Sequence, residues 1–292
     1  MVFLIVVSVV WAFSFPLIKV HLTALDANFV AFARMALALL VLVPFLRLQK
    51  VETKLAIQLA AIGAWQMGVM YVAYIRSFQY LQSYEVALLT IMTPLWITLF
   101  SSALSRRIEP RFHLAALLAI VGAAIIVVRQ DALGPAIVGV ALVQVSNIAF
   151  GTGQILYKHT MAAHPEVQSR DVFALLYAGA VVVTLAATAV TFDVSRFEIT
   201  RVQLLVLVYL GVIAAGLGFF LWNHGATKVS DGTLAVMNNG YMPLAVVAGL
   251  VWLGEEADPV RLLIGSSCIV AALLVAAKLQ PFTWTSAKNH RV

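Results

Sequence analysis

Charge is what this chain has least of. Only 11% of its 292 residues are Asp, Glu, Lys or Arg, against about 25% in an average soluble domain, so an ordinary water-facing surface is excluded. The single cysteine, Cys268, lies inside an apolar run, which rules out an intrachain disulfide and a thiolate metal site. The six histidines are scattered. HExxH, GxSxG, a paired-Asp metal motif and a phosphate-binding Gly-rich loop are all missing, and with them the common hydrolytic and nucleotide-driven chemistries. No basic stripe with interleaved aromatics occurs, so the net charge of +6 does not point to nucleic acid. No linker or low-complexity tract interrupts the chain, and no cofactor is expected. Val2 to Val20 lacks the basic start and small-residue cleavage site of a secretory signal peptide.

What the chain has instead is hydrocarbon. Apolar residues make up 62% of it, and its mean hydropathy is +0.97. A helical span needs about 20 apolar residues. The pattern therefore predicts an all-α integral membrane protein of ten transmembrane helices, at roughly 3–20, 27–46, 55–78, 83–104, 112–129, 135–157, 171–192, 202–223, 232–253 and 261–279. Twelve basic residues fall on one side of this topology and six on the other. The richer side faces the cytoplasm by the positive-inside rule, placing both termini there, with residues 281–292 as a polar, basic tail.

The halves echo each other. Tyr84 to Pro110 carries Pro94 in mid-span and ends in Glu109-Pro110; shifted by 149 positions, these landmarks fall on Pro243 and Asp258-Pro259. Trp11 to Lys19 (WAFSFPLIK) aligns with Phe150 to Lys158 (FGTGQILYK) at a shift of 139. These matches predict two five-helix repeats, residues 1–130 and 131–280. Five helices per half force the second half to enter from the opposite face, giving an inverted repeat. That geometry suits alternating access, and paired interrupted helices point to its binding site.

The same residues resemble a known family. Trp11-Ala12-Phe13-Ser14-Phe15, Arg34 within AFARMALALL, TPLWITLFSSALSRRIEP leading to Val121-Gly122, and MPLAVVAGLVWLGEEADP before the last span are similar to the EamA branch of the drug/metabolite transporter superfamily. The resemblance implies a ten-helix inner-membrane carrier whose central cavity is lined by spans 1, 3, 4, 6, 8 and 9. It also implies outward movement of amino acids, other small metabolites or drugs. Tyr84-Glu85 before an apolar run is similar to aromatic-amino-acid exporters of that superfamily.

Several polar residues lie inside spans, where each needs a partner or a ligand. Arg34 and Glu85 are the charges nearest mid-span. Arg34 attracts a substrate carboxylate, or pairs with Glu85 to fix packing; Glu85 binds a proton or an amine, or sits at a wet mouth. Tyr71 and Tyr74 share a helix face, and their repeat counterparts are Phe220 and Asn223. They read as cavity walls or as an interfacial aromatic belt. Asn147, near Gln144, and the pair Asn238 and Asn239 are amides in apolar helices. Asn239 precedes Pro243 by four residues, so its carbonyl loses its helical donor. Together with Trp11, these nine are the substrate-binding candidates. Lys19 and Lys158 read as snorkelling cations.

The expected function is secondary-active transport of small organic metabolites, amino acids or related compounds. The proton is the candidate coupling ion, and monomer and dimer both remain open. A multidrug or organic-cation exporter is the alternative within transport. A membrane-embedded enzyme or sensor is the alternative outside it.

Overall fold

The hydrocarbon interior offers a backbone no hydrogen-bond partner, so long apolar runs close their bonds internally as helices. The computed structural model describes residues 2–104, 110–127, 133–229, 237 and 242–277, and all its regular structure is helical. The helices are α1 (Val2–Leu22), α2 (Ala27–Phe45), α3 (Thr53–Ser77), α4 (Ser83–Thr90), α5 (Thr93–Leu104), α6 (Pro110–Val127), α7 (Leu133–Ala163), α8 (Ser169–Thr191), α9 (Arg201–Ala226), α10 (Met242–Val247, continued by a π turn over Ala248–Trp252) and α11 (Pro259–Ala277). Six of them, α1–α3 and α7–α9, are long and apolar enough to cross a membrane. The others occupy the remaining predicted spans. The expected tail lies outside the described residues.

Local chemistry sets the ends. The Asp26 carboxylate accepts the Phe29 N–H at 2.8 Å and caps α2. Thr200 and Gln203 form a reciprocal capping box at the start of α9. The predicted fourth span is broken at Ile91-Met92 into α4 and α5. Pro94 cannot supply the N–H that the Thr90 carbonyl needs, and the Thr93 hydroxyl takes that carbonyl at 2.8 Å. The sixth span runs past its expected end at 157. Its extra turns carry a polar face onto α3, where the Gln58 amide donates to the Thr160 hydroxyl at 3.0 Å.

Small residues let the helices touch backbone to backbone. On α3 and α8, a β-carbon at Gly63 would run into the Leu176 carbonyl, and one at Gly179 into the Ala60 carbonyl. α6 and α11 meet at Gly122 and Gly265, where an added β-carbon would come within 2.7 Å and 2.8 Å of the opposing glycine's oxygen. Ala115, Ala119, Ala123 and Ala272 are buried, as expected of a scaffold pair. Val190, Leu205 and Leu263 point outward, as a hydrocarbon solvent requires.

α3 and α9 share a further feature. Each contains a π segment, at Ala64–Val69 and Tyr209–Leu217, and the shift of 149 lays all but the last residue of the first onto the second. The wide turn leaves carbonyls to be taken by side chains, a common device at functional sites. In α9 the Trp11 indole N–H donates to Ala214 O at 2.9 Å, and the Tyr177 hydroxyl to Ala215 O at 2.6 Å.

Candidate binding site

Within the bundle α1, α2, α3, α4, α7 and α9 line a partly open cavity of about 60 Å³, room for a few water molecules. Five predicted residues line it: Trp11, Arg34, Tyr71, Tyr74 and Asn147. Aromatic residues make half of the described wall. Trp11 lies 5.9 Å from Phe150 and 4.8 Å from Phe219, Tyr71 is 5.8 Å from Phe219, and Tyr74 is edge-on to Phe15 at 5.7 Å. A mostly apolar wall with a few convergent polar groups is the usual make-up of a small-molecule site.

Arg34 is the only charged side chain among the described lining residues, and it is 2% exposed. Its Nη2 donates to the Tyr71 hydroxyl at 3.1 Å, and its guanidinium carbon sits 4.6 Å above the Tyr71 ring. Nε and Nη1 have no hydrogen-bond partner in the protein. Leaving buried charged donors unmatched is costly, and an acceptor entering the cavity would relieve that cost. The guanidinium is held by a phenol and not by Glu85, which removes the Arg34–Glu85 pairing considered above.

Glu85 lies apart from the cavity lining. Its carboxylate accepts the Gln82 backbone N–H at 2.8 Å, with the Tyr84 hydroxyl 3.3 Å away, at the start of α4. Glu255 takes the neighbouring N–H groups of Ser83 and Tyr84 at 2.8 Å and 3.2 Å, so two carboxylates meet one helix N-terminus. Asn147 uses its Nδ2 on the Leu89 carbonyl at 2.9 Å, one of those loosened by the Pro94 break, and its Oδ1 is within 3.2 Å of the Thr93 hydroxyl. Asn223 lies one turn beyond Phe219 among other amides and does not line the cavity. Asn238 and Asn239 lie outside the described residues. Lys19 donates to Phe78 O and Leu81 O at 2.9 Å and 2.8 Å, and Lys158 to Val229 O at 3.1 Å. Instead of snorkelling to water, each ties down the turn that follows a π-containing helix, α3 or α9.

The structure adds Ser14, Phe15, Met70, Thr90, Ser146, Phe150 and Phe219 to the lining. Two of them carried a legible signal. Phe150 is the repeat partner of Trp11, and Phe219 that of Met70, at the shifts of 139 and 149. Among the described residues, no group of three His, Cys, Asp or Glu side chains is placed to hold a metal ion.

A membrane bundle with an arginine-bearing cavity is the frame of a small-molecule carrier, and comparison with known proteins agrees. The chain belongs to the EamA-like transporter family, whose profile matches residues 1–128 and 137–277. It is a multi-pass membrane protein of a transporter family, not of an enzyme family. It is 40% identical over 276 residues to a probable biotin transporter of Pseudomonas aeruginosa, covering 94% of this chain and 96% of that one. It is 37% identical over 281 residues to the biotin transporter of Escherichia coli, covering 95% and 93%. A probable terminal-alkyne amino-acid exporter of Streptantibioticus cattleyicolor is 24% identical over 283 residues, covering 93% and 91%. One crystal structure superposes with a TM-score of 0.61 at 18% identity, over 95% of this chain and 94% of its own, a likeness of fold alone.

Proposed function

We propose that the protein is a secondary carrier of small carboxylates, with biotin the first candidate substrate. The observation that carries this reading is Arg34, whose Nε and Nη1 are buried and unengaged at the cavity. A guanidinium presents a planar fork of donors that matches a carboxylate. The described lining holds no acid that could pair with an ammonium group. That favours a carboxylate with an uncharged body over a zwitterionic amino acid or an organic cation. Biotin is such a molecule, a carboxylate on an aliphatic chain that ends in an uncharged ureide ring. The relatives named for biotin, at 37–40% identity, support the same choice. An amino-acid substrate is the second reading, supported by the Streptantibioticus cattleyicolor relative.

Transport proceeds by alternating access between inverted halves, residues 1–130 and 131–280, in a ten-span bundle. The reading is supported by the two family matches, the paired π segments, and Lys19 and Lys158 bonding the turns that follow equivalent helices. The bacterial relatives support the inner membrane, and the basic-residue count supports cytoplasmic termini. Lacking a nucleotide-binding loop, the carrier runs on its substrate's gradient or on an ion gradient, with the proton as candidate.

The test is counterflow in proteoliposomes with labelled biotin, a panel of amino acids and an organic cation, each with and without a pH gradient. Biotin should exchange, and Arg34→Gln should abolish that exchange in a protein that remains folded. Failure of folded protein to exchange biotin overturns the substrate. Exchange unaffected by Arg34→Gln overturns the site.

A further inference from the structure

A second polar layer lies directly beneath the cavity. Met70, Phe150 and Phe219 line the cavity from α3, α7 and α9. One helical turn further along the same faces stand Gln66, Gln154 and Asn223, each 0% exposed. Gln66 Nε2 donates to Asn223 Oδ1 at 3.2 Å, Asn223 Nδ2 to the Phe219 carbonyl at 3.0 Å, and the Trp222 indole to Gln154 Oε1 at 3.1 Å. Gln66 Oε1 accepts no hydrogen bond in the protein. Gly153 lets Gln66 pack straight onto α7, with room for nothing larger: a β-carbon there would fall 2.6 Å from Gln66 Cγ. Three amides closed into an apolar core, one with an oxygen left over, are a poor packing solution.

The repeat accounts for two of the three, Gln154 and Asn223, and Gln66 joins them through its bond to Asn223. At a shift of 139 Ser14 falls on Gly153 and Phe15 on Gln154; at 149 Tyr74 falls on Asn223. Ser14, Phe15 and Tyr74 line the cavity, whereas Gln154 and Asn223 are sealed off from it. Between them lies the ring made by the pairs Trp11–Phe150 and Met70–Phe219. The described state thus opens one half-passage and shuts its counterpart. When inverted halves exchange conformations, each residue takes up the surroundings of its partner.

We propose that Gln66, Gln154 and Asn223 form the substrate-contacting layer of the opposite conformation, where they take an uncharged amide or ureide end of the substrate. This rests on the inverted-half reading above. Arg34 serves both states, holding the carboxylate, while the aromatic half-passage gives way to an amide one at the other end. Amide side chains suit such a group because each offers both a donor and an acceptor.

Single cysteines in a Cys268→Ser background decide it: Tyr74→Cys, Gln154→Cys and Asn223→Cys, treated with a membrane-impermeant maleimide from either face of the membrane. Gln154→Cys and Asn223→Cys should label from the face opposite to the one that labels Tyr74→Cys. Two inner positions are used so that one misfolded variant does not remove the answer, and gel filtration in detergent verifies folding. Labelling of both from the Tyr74 face, or of neither from any face, overturns the proposal. Biotin should protect these cysteines, and hexanoate, a carboxylate without a ureide, should not. Equal protection by both or by neither overturns the assignment to the uncharged end. Labelling needs no substrate, and counterflow reports separately whether biotin is one, so the two readings fail independently.

Discussion

Replacing Arg34 by Gln removes the one charge among the described cavity lining, and its effect can be worked out in advance. The Tyr71 hydroxyl, 3.1 Å from Nη2, is already spent on the guanidinium, whereas Nε and Nη1 are unspent. A carboxylate docking there forms a buried, charge-assisted pair. Truncating one partner of such a pair costs about 2–5 kcal/mol. At about 1.4 kcal/mol per factor of ten, affinity falls roughly 30-fold to 5,000-fold. The loss should belong to the carboxylate: biotin methyl ester should bind wild type as weakly as biotin binds Arg34→Gln, and should be indifferent to the substitution. Equilibrium binding of both ligands to both purified proteins closes a double cycle, in which a coupling below about 0.5 kcal/mol would refute the reasoning. Stability should move the other way. A buried guanidinium with unpaired nitrogens carries an uncompensated desolvation cost, so Arg34→Met should leave the unfolding midpoint unchanged or raise it. A lower midpoint would mean that Arg34 is chiefly a packing residue.

Other consequences follow from the same geometry. Asn147→Leu strips one of two donors from the Leu89 carbonyl, which keeps the Met92 N–H, and should cost about 0.5–1.5 kcal/mol, read as a lower midpoint in a denaturant titration; no change would show that the bond adds nothing to stability. Gly63→Leu and Gly179→Leu force α3 and α8 apart at backbone contact and should cost at least about 1–3 kcal/mol each, seen as lost folded yield. Gly134→Ala, with open space around it, should be tolerated. Glu85→Gln keeps an acceptor for the Gln82 N–H, so transport and its pH dependence should persist, whereas Glu85→Ala should lower stability by about 0.5–2 kcal/mol. Loss of proton dependence in Glu85→Gln alone would return that carboxylate to the transport cycle.

Not every candidate was equally legible, and the reason is physical. Arg34, Tyr71 and Tyr74 can be found by scanning apolar runs for groups that hydrocarbon will not tolerate. Asn147 and Asn223 stand out by the same scan, yet it does not say which of them meets the cavity. Asn147 does, because the Pro94 break presents the Leu89 carbonyl to it from α4. Asn223 is instead turned toward Gln66, in the layer beneath. Glu85 reads as an intramembrane acid until the helix start at Ser83 is located; then it is a cap. Phe150 and Phe219 look like any apolar residue, and only their repeat partners single them out.

The sequence by itself determined the solvent, the helical class and the landmarks that two halves share. A bilayer places its demands on length and composition, and those are local properties that a linear reading registers. It also determined that a few buried polar groups would need partners. Only the tertiary structure decided which partners. A residue within a long helix can face any direction, and the rotation of each helix is set by close contacts such as Gly63 on Leu176 and Gly179 on Ala60, more than a hundred residues apart in the chain. Those contacts fix the rotation of α3, and with it the faces that carry Tyr71 to Arg34 and Gln66 to Asn223.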